Sequence, residues 1–294
     1  MAILVGPETR VICQGMTGRA ASFHVARMIE YGTKVVGGVT PGKGGTRHLD
    51  LPVFDSVAKA VEETGANATI VFVPPPNAAE AIIEAVRAQI PLIVCVTERI
   101  PLLDMVRVHQ ALEGTRTRLV GPNSQGILVP RVVQLGVMST ASAASGSVGI
   151  ASRSASLTSE IVAQVTRAGL GQSTTVGVGG DPIHGMSLAD CVELFLDDPQ
   201  THGIVLIGEI GGSDEEDAAE LIARRRPRKP IVALVAGRHA PGQRRMGHAG
   251  AFTSGEAEAA DRKIDVLAAA GVRIAAHAGE VGEAIRRALL QTLS

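Results

Sequence analysis

The chain has 294 residues and a mass of 30.3 kDa, and its 28 basic side chains nearly balance its 29 acidic ones. A formal net charge of −1 leaves no basic field for nucleic acid or an anionic membrane, and with no Trp, one Tyr and five Phe few rings can stack on bases. Mean hydropathy is +0.22, yet the longest uncharged stretch, 132–152, is rich in Gly, Ser, Thr and Ala, which predicts no membrane span. Composition therefore argues against a nucleic-acid-binding or membrane-spanning protein.

The amino terminus and the cysteines bear on the compartment. The first eight residues have no basic region and only a short apolar run, which predicts no signal peptide. Cys13, Cys95 and Cys191 are an odd number, far apart, and each lies in or beside an apolar run. They predict neither a disulfide framework nor a metal site, and we expect a reducing cytoplasm.

Short apolar runs alternate with Ala-rich helical segments along the whole chain. The predicted strands are 9–14, 34–38, 68–73, 91–96, 118–120, 147–151, 173–178, 203–207, 230–235 and 273–275. Runs such as 69–73 and 204–207 are continuously apolar, as strands covered on both faces of a parallel sheet are. The alternation predicts an α/β protein with doubly wound sheets.

The ten predicted strands fall into two groups of five, before residue 125 and after residue 146. The stretch 128–146 carries Pro130 and a Ser/Ala/Gly-rich run at 139–147, a composition that suits a connector or a loop near a site. We therefore predict two domains, residues 1–130 and 131–294.

Two glycine-bearing turns in the first half are candidate anion sites. The first strand ends in QGMTGR, 14–19, before a helix, so that free N–H groups and the helix dipole face one point. Because Thr17 interrupts the pattern G-x-G-x-x-G, a plain tight turn fits equally well. The second turn, GGVTPGKGG at 37–45, surrounds Lys43 with glycines and a proline, which favours a phosphate cradle over a flexible surface loop. It lacks the spacing of a P-loop.

Two more loops lie at the carboxyl ends of predicted strands. VPPP at 73–76 closes the third strand, and Val96, Thr97 and Glu98 close the fourth. Each alone fits an ordinary loop, but open α/β sheets bind ligands at this edge. Together, these strand ends favour one crevice for a long phosphorylated ligand.

His248 stands out in the second half of the chain. GGDP at 179–182 and GEIGG at 208–212 follow strands, and RMGHAGA at 245–251 places His248 between glycines on a loop. Core packing explains such a residue poorly, whereas a neutral imidazole is a good nucleophile toward a phosphoryl group. Glu209 is a candidate to orient the ring through its other nitrogen.

Three other features have more ordinary interpretations. The hydroxyls of SRSASL at 152–157 open a helix and fit caps, although the same geometry receives a carboxylate or phosphate. The basic run 224–229 ends a helix and complements its dipole. His184 is a second candidate histidine, after His248.

Several of these segments resemble one known family. The segments are VICQG (11–15), GGVTPGKGG (37–45), GPN (121–123), GGDP (179–182), IGEIGG (207–212) and MGHAGA (246–251). Spread over essentially the whole chain, they make it similar to the α-subunit family of succinyl-CoA synthetase (succinate–CoA ligase).

The resemblance implies a CoA-binding Rossmann-like domain over 1–130 and a flavodoxin-like domain over 131–294 with a phosphorylated histidine. It assigns the nucleophile to His248 and its orienting carboxylate to Glu209. The implied CoA contacts are Thr17, Gly18, Arg19, Ala20, Lys43, Val96, Thr97 and Glu98. A β subunit with an ATP-grasp fold would bind Mg-ATP or Mg-GTP. Phosphoryl would pass through His248 to the acid, and the CoA thiol would then displace phosphate.

The chain departs from the family pattern around the acid. SRSGTLTYE in most members is SRSASLTSE at 152–160, so Ala155 replaces a glycine and Ser159 a tyrosine. The residues that we assign to the acid are Asn123, Ser154, Ser156 and Ser159. The departures leave a ligase for malate, citrate or a related acid as an alternative to succinate.

A CoA-binding regulatory protein without turnover is a further alternative. Retention of both Glu209 and His248 argues against it, because a pure binder needs neither. An NAD-dependent dehydrogenase is disfavoured by the missing G-x-G-x-x-G.

Overall fold

The computed structural model describes residues 2–241, 246–252 and 259–292, in which strands and helices alternate. The strands are β1 (Arg10–Gln14), β2 (Lys34–Val39), β3 (Arg47–His48), β4 (Leu51–Phe54), β5 (Ala68–Val71), β6 (Leu92–Cys95), β7 (Arg118–Val120), β8 (Gly126–Val129), β9 (Val133–Gly136), β10 (Ser145–Ser152), β11 (Gln172–Gly177), β12 (Gly203–Glu209), β13 (Ile231–Ala236) and β14 (Arg273–Ile274).

The helices lie between these strands. They are α1 (Arg19–Tyr31), α2 (Val57–Thr64), α3 (Pro75–Arg87), α4 (Leu102–Leu112), α5 (Ala155–Arg167), α6 (Leu188–Asp197), α7 (Asp214–Arg225), α8 (Ala260–Ala269) and α9 (Val281–Thr292), with a 3₁₀ turn at Ala278–Glu280. Side-chain caps determine where a helix begins. At α6, Ser187 accepts the Asp190 N–H and the Asp190 carboxylate accepts the Ser187 N–H. No helix in the described ranges has both the length and the apolarity that crossing a membrane requires.

The first sheet has the order β3-β4-β2-β1-β5-β6-β7. Its strands are parallel except for the two-residue edge strand β3, which runs antiparallel to β4. The neighbours of β1 are β2 on one side and β5 on the other, so the chain winds away from β1 in both directions. This switch point opens a crevice at the carboxyl ends of β1 and β5.

The second sheet has the order β14-β13-β12-β10-β11-β8-β9, with the antiparallel hairpin β8–β9 at one edge and parallel strands elsewhere. Its switch point lies at β10, between β12 and β11. Two doubly wound sheets confirm the predicted fold class.

The prediction of a connector over 128–146 was wrong in its first part. The apolar segment of β8 pairs with β11, and β9 pairs with β8, around a turn that contains Pro130. Turn residues dominated the composition of this stretch and obscured two four-residue strands. The division at residue 130 falls inside this hairpin and stays a prediction. The short strands β3 and β4 were not predicted either.

The two sheets share one hydrophobic core. Buried Val11 and Val94 of the first sheet belong to the same cluster as Ile127 and Leu206 of the second. Backbone hydrogen bonds also join the loop after β7 to the loop after β11: Gly185 N–H donates to the Gly121 carbonyl over 2.9 Å. This junction brings the carboxyl edges of the two sheets together.

Candidate functional site

The second sheet gathers the two predicted catalytic residues, together with Arg153, at its carboxyl edge. Glu209 is the last residue of β12, Arg153 follows β10, and His248 lies on the connection from β13 to α8. Because β10, β12 and β13 are consecutive in the sheet, these residues meet beside its switch point.

Glu209 holds the imidazole of His248. His248 Nδ1 lies 2.9 Å from Glu209 Oε2 and 3.0 Å from Oε1. A carboxylate only accepts, so Nδ1 carries the proton and Nε2 keeps its lone pair when the ring is neutral. The hydrogen bond that Glu209 accepts raises the pKa of His248, against the opposing effect of burial. The structure therefore brings the predicted pair into contact, and their roles as nucleophile and orienting group stay a prediction.

Glycines make room for the His248 ring. A Cβ on Gly180 would lie 2.2 Å from His248 Nδ1, and one on Gly211, whose φ is +83°, would lie 2.0 Å from the Gly250 carbonyl oxygen. The Gly250 N–H donates to the Gly180 carbonyl over 3.1 Å. The glycines of GGDP and EIGG therefore allow the His248 loop to lie directly against both neighbouring turns.

Behind Glu209 lies a cluster of buried charges that the sequence analysis missed. Arg153 is 3% exposed, and its guanidinium lies 3.5 Å from Glu209 Oε1 and 3.1 Å from Glu215 Oε1. Lys263, fully buried on α8, forms an ion pair with Glu215. A signal was available: Glu215 and Lys263 fall on the apolar faces of α7 and α8.

His184 belongs to the same cluster and not to the nucleophile. Its Nε2 lies 2.9 Å from Asp214 Oδ2. Burial alone would lower the pKa of His184, but the hydrogen bond and charge of Asp214 raise it, while the same contact lowers the pKa of Asp214 against its own burial.

Asp181 connects this site to the first sheet. One carboxylate oxygen accepts the Arg99 N–H over 3.1 Å, and the other accepts the Asn123 side-chain amide over 3.2 Å. Asn123 N–H in turn donates to the Thr97 carbonyl over 2.9 Å. Burial raises the pKa of Asp181. Asp181 had no predicted role in the sequence analysis. It links Asn123, a predicted acid residue that contacts the predicted CoA residue Thr97, to Gly180, which lies against the His248 ring.

The glycine-rich loop 37–45 is organised differently from the predicted cradle. The N–H groups of Gly42 and Gly44 both donate to Asp55 Oδ1, over 2.8 and 2.9 Å. These amides are therefore engaged within the protein. The Lys43 ammonium instead reaches across to the first glycine turn and donates to Thr17 Oγ1 over 3.1 Å. Lys43 therefore still offers a positive charge, but the amides of Gly42 and Gly44 do not form the expected phosphate site.

The turn after β1 keeps the features of an anion site. Gly15, with φ +80°, lies against the backbone of residues 72 and 73, where a Cβ would approach to 3.3 Å. Gly18 caps α1 without a side-chain hydrogen bond, and Arg19 and Ala20 are exposed in its first turn. The Gly18 N–H donates to the Gly15 carbonyl over 3.0 Å, and the N–H groups of the first turn of α1 that follow it have no partner within the helix, as anion binding requires.

The other predicted CoA residues follow β6. Thr97 Oγ1 donates to the Val73 carbonyl over 2.6 Å and the Val96 N–H to the Val71 carbonyl over 3.2 Å, while Glu98 is exposed. The structure therefore joins the ends of β5 and β6 at the crevice.

The predicted acid residues are less tightly gathered. Ser154 is buried and caps α5, accepting the Leu157 N–H over 3.4 Å, while Ser156 and Ser159 are exposed on that helix. In the part of the chain that the structure describes, no hydrogen bond joins these serines to His248. Among the same residues, no group of three or more His, Cys, Asp or Glu side chains is arranged for a metal ion.

Comparison with known proteins gives the family. A CoA binding domain matches residues 7–99 and a CoA-ligase domain matches 151–273. The succinate–CoA ligase [ADP-forming] subunit alpha of Aquifex aeolicus is 47% identical over 291 residues, 98% of this chain and 95% of that protein. The chain belongs to the succinate–CoA ligase α-subunit family. Subunit alpha 2 of Archaeoglobus fulgidus, another member, is 49% identical over 289 residues, 98% of this chain and all of that one.

Solved structures share the fold of this α-subunit family member at lower identity. ATP citrate lyase from Methanothrix soehngenii, in complex with citrate and coenzyme A, matches 99% of the chain with a TM-score of 0.87 and 23% identity. The chain spans about half of that protein, 51%. A dinucleotide forming acetyl-coenzyme A synthetase from Ca. Korarchaeum cryptofilum, with phosphate and ADP, matches 94% with a TM-score of 0.75 and 17% identity and is covered over 60% of its length.

Proposed function

We propose that this chain is the α subunit of an ADP-forming succinate–CoA ligase in which His248 carries the phosphoryl group. The observation that carries the proposal is the 2.9 Å contact between His248 Nδ1 and Glu209. It fixes the tautomer that leaves Nε2 as the nucleophile. The names of relatives at 45–49% identity support the same reaction.

The residues support a stepwise transfer. The Nε2 lone pair attacks phosphorus, the bond from phosphorus to the leaving oxygen breaks, and that oxygen keeps the electron pair. Glu209 compensates the positive charge of the phosphorylated ring through Nδ1–H. A carboxylate oxygen of the acid then takes the phosphoryl group from Nε2, which gives an acyl phosphate. The CoA thiol displaces phosphate from that intermediate, so that a carbon–sulfur bond forms and a carbon–oxygen bond breaks.

CoA is a substrate whose phosphates fit the first-sheet crevice. An anionic ligand would find three matching groups there: the backbone N–H groups at the start of α1, the exposed Arg19 and the Lys43 ammonium beside Thr17. The CoA binding domain match over 7–99 includes all of them. The residues that we assign to CoA are Thr17, Gly18, Arg19, Ala20, Lys43, Val96, Thr97 and Glu98.

The acid is assigned to the space between the two sheets. Asn123 lies next to Asp181, and Ser154 lies next to Arg153 at the start of α5. We place Ser156 and Ser159 there as well, on the exposed part of α5. The relatives' names favour succinate over the other acids, despite Ala155 and Ser159.

A β subunit is the proposed source of the nucleotide. The relatives are named as alpha subunits, and the amides of Gly42 and Gly44 in loop 37–45 are engaged by Asp55, which argues against a triphosphate cradle there. Mg-ATP bound in an ATP-grasp β subunit would supply the phosphoryl group. We place the complex in the cytoplasm, where the three free cysteines, all buried, stay reduced.

The test uses the chain co-purified with its cognate β subunit. With Mg and γ-labelled ATP we expect acid-labile, base-stable label on the chain, and succinate with CoA should discharge it. His248→Asn should abolish the label, and Glu209→Gln should slow its formation by about 10²- to 10⁴-fold because the tautomer is no longer fixed. Label that persists in His248→Asn would contradict the proposal. Malate or citrate discharging faster than succinate would reassign the acid.

A further inference from the structure

The buried charges behind Glu209 converge on that one residue. The Arg153 Nη1 group donates to the Gly211 carbonyl over 2.9 Å and to the Glu209 carbonyl over 3.4 Å. Arg153 Nη2 lies 3.5 Å from Glu209 Oε1. From the other side, Glu215 Oε1 accepts the Glu209 N–H over 3.0 Å. The backbone N–H, the carbonyl and the carboxylate of Glu209 are therefore all held by Arg153 and Glu215.

The pair is itself anchored. Arg153 and Glu215 contact each other at 3.1 Å, and Lys263 forms an ion pair with Glu215. Lys263 Nζ also donates to the Gly212 carbonyl over 2.8 Å and to Glu216 Oε2 over 2.9 Å. Buried charges persist only when they are paired and hydrogen-bonded in this way. Arg153 and Glu215 are therefore held in place by contacts beyond those they make with Glu209.

We propose that Arg153, supported by Glu215, is a positioning residue that keeps Glu209 aimed at His248 Nδ1 and whose positive charge opposes protonation of the imidazole. The inference rests on the proposed function of His248 and adds two residues to it. Neither touches the reacting phosphorus; both act through Glu209.

The electrostatic reason is a balance around His248. Glu209 and, more weakly, Asp181 favour the protonated ring, and the positive charge of Arg153 opposes them. A protonated ring has no lone pair at Nε2 and cannot attack phosphorus. Glu209 therefore orients the nucleophile and also favours its protonation, and burial and the positive charge of Arg153 both oppose this second effect.

Other charges of the described residues face Arg153 and not the ring. The charged groups packed around the guanidinium are Asp214 and Glu215 of α7, Lys263 of α8, and His184 through Asp214. Glu215 pairs with both Arg153 and Lys263, so its charge is shared between the two cations. Of these groups, Arg153 acts on the ring: its positive charge, together with burial, opposes protonation of His248.

The experiment removes this charge together with that of Glu215, while Lys263 keeps its ion pair with Glu216. The double variant Arg153→Gln/Glu215→Gln replaces a buried ion pair by two amides that still hydrogen-bond. In the αβ complex labelled with ¹³C-histidine, we expect the His248 imidazole to titrate at a higher pH than in the parent. The rate of His248 phosphorylation should fall more at pH 6.5, on the order of tenfold, than at pH 9, where only the loss of the Arg153 fork remains.

Two further variants separate charge from shape. Arg153→Lys keeps the charge but loses the fork, so His248 should titrate as in the parent while the maximal rate falls at every pH. Arg225→Gln/Glu193→Gln removes an exposed ion pair of 2.9 Å by the same two substitutions, and we expect no change in either readout. If the double variant does not co-purify with the β subunit, Arg153→Lys carries the test through its split between titration and rate.

The outcomes are distinguishable. An unchanged His248 titration in the double variant, or a loss of rate there that is equal at all pH values, overturns the charge role of Arg153, and an unchanged maximal rate in Arg153→Lys overturns its positioning role. A parent complex that is never phosphorylated contradicts the proposed function, while the histidine titration still reports whether Arg153 sets the charge of the ring.

Discussion

The crevice of the first sheet and the carboxyl edge of the second sheet hold their charged side chains in different ways. In the first sheet, Arg19, Ala20 and Glu98 are exposed, and the Lys43 ammonium donates to the Thr17 hydroxyl. In the second, Arg153 and Lys263 are buried and form ion pairs within the chain before any ligand arrives. A region that binds a charged ligand leaves its charges in water, whereas a region that reacts fixes them in advance.

The largest expected effect comes from disturbing the second region alone. In Gly180→Ala, the new Cβ would lie 2.2 Å from His248 Nδ1, so the ring must leave Glu209. We expect phosphorylation of His248 to fall about 10²-fold, as for other displaced catalytic groups, while CoA affinity by calorimetry stays unchanged. Gly6→Ala, which meets nothing within 4 Å, is the control. A drop in CoA affinity of the same size would remove the distinction between the two regions.

A smaller effect is expected where the two regions meet. Asp181→Asn keeps one acceptor oxygen but turns an NH₂ group toward a donor, either Arg99 N–H or the Asn123 amide. We expect discharge of phosphorylated His248 by succinate and CoA to slow about tenfold, with the rate of labelling by Mg-ATP within twofold of the parent. Both half-reactions are followed by quenched flow. Exposed Asp265→Asn should change neither; equal slowing of both half-reactions in Asp181→Asn would refute a linking role.

The first region should respond to a change that leaves the second untouched. Lys43→Met removes the ammonium that reaches Thr17. We expect CoA to bind about three- to tenfold more weakly, and the loss should shrink at high salt. Lys59→Met, whose exposed ammonium lies 3.7 Å from Glu63, is the matched control. An unchanged affinity would remove Lys43 from the CoA site.

The smallest effect is on stability and comes from the edge of the buried network. The pKa of His184 is raised and that of Asp214 lowered, so their ion pair is complete from about pH 4 to 6.5. Its contribution fades as the pH rises through the folded-state pKa of His184, or falls through that of Asp214. His184→Asn should therefore cost about 1 kcal/mol near pH 5.5 and less near pH 9 by thermal unfolding. Exposed His202→Asn should show no such pH dependence.

The fold and the pairing of His248 with Glu209 could be predicted because both produce local patterns in the sequence. Continuous apolar runs predict buried parallel strands, and a histidine between glycines at a strand end has few structural explanations. The pairing of His248 with Glu209 also follows from topology, because β12 and β13 are neighbours. The hairpin β8–β9 escaped because Pro130 and the serine-rich run beyond it outweighed two four-residue strands.

The partners of the charged groups Asp55, Glu215 and Lys263 could not be predicted from the sequence, for a different reason. Asp55 takes the amides of Gly42 and Gly44 only because β4 brings it back beside the loop. Glu215 and Lys263 occupy positions on helix faces that apolar residues would normally fill, yet a charge on such a face does not name its counter-ion. Those contacts depend on how α7 and α8 meet across β12 and β13, and no local pattern records that.

The buried cysteines have a consequence for a protein whose proposed substrate is a thiol. Cys13 and Cys95 lie in strands that run toward the proposed CoA crevice, and Cys95 immediately precedes Val96. Burial raises the pKa of the Cys95 thiol to about 12 and those of Cys13 and Cys191 further still. Thiol–disulfide exchange needs a thiolate that a reagent can reach. Oxidised CoA should therefore form no mixed disulfide with the folded chain, and in an assay with a coloured aryl disulfide the sulfhydryl of free CoA should react while the protein stays silent.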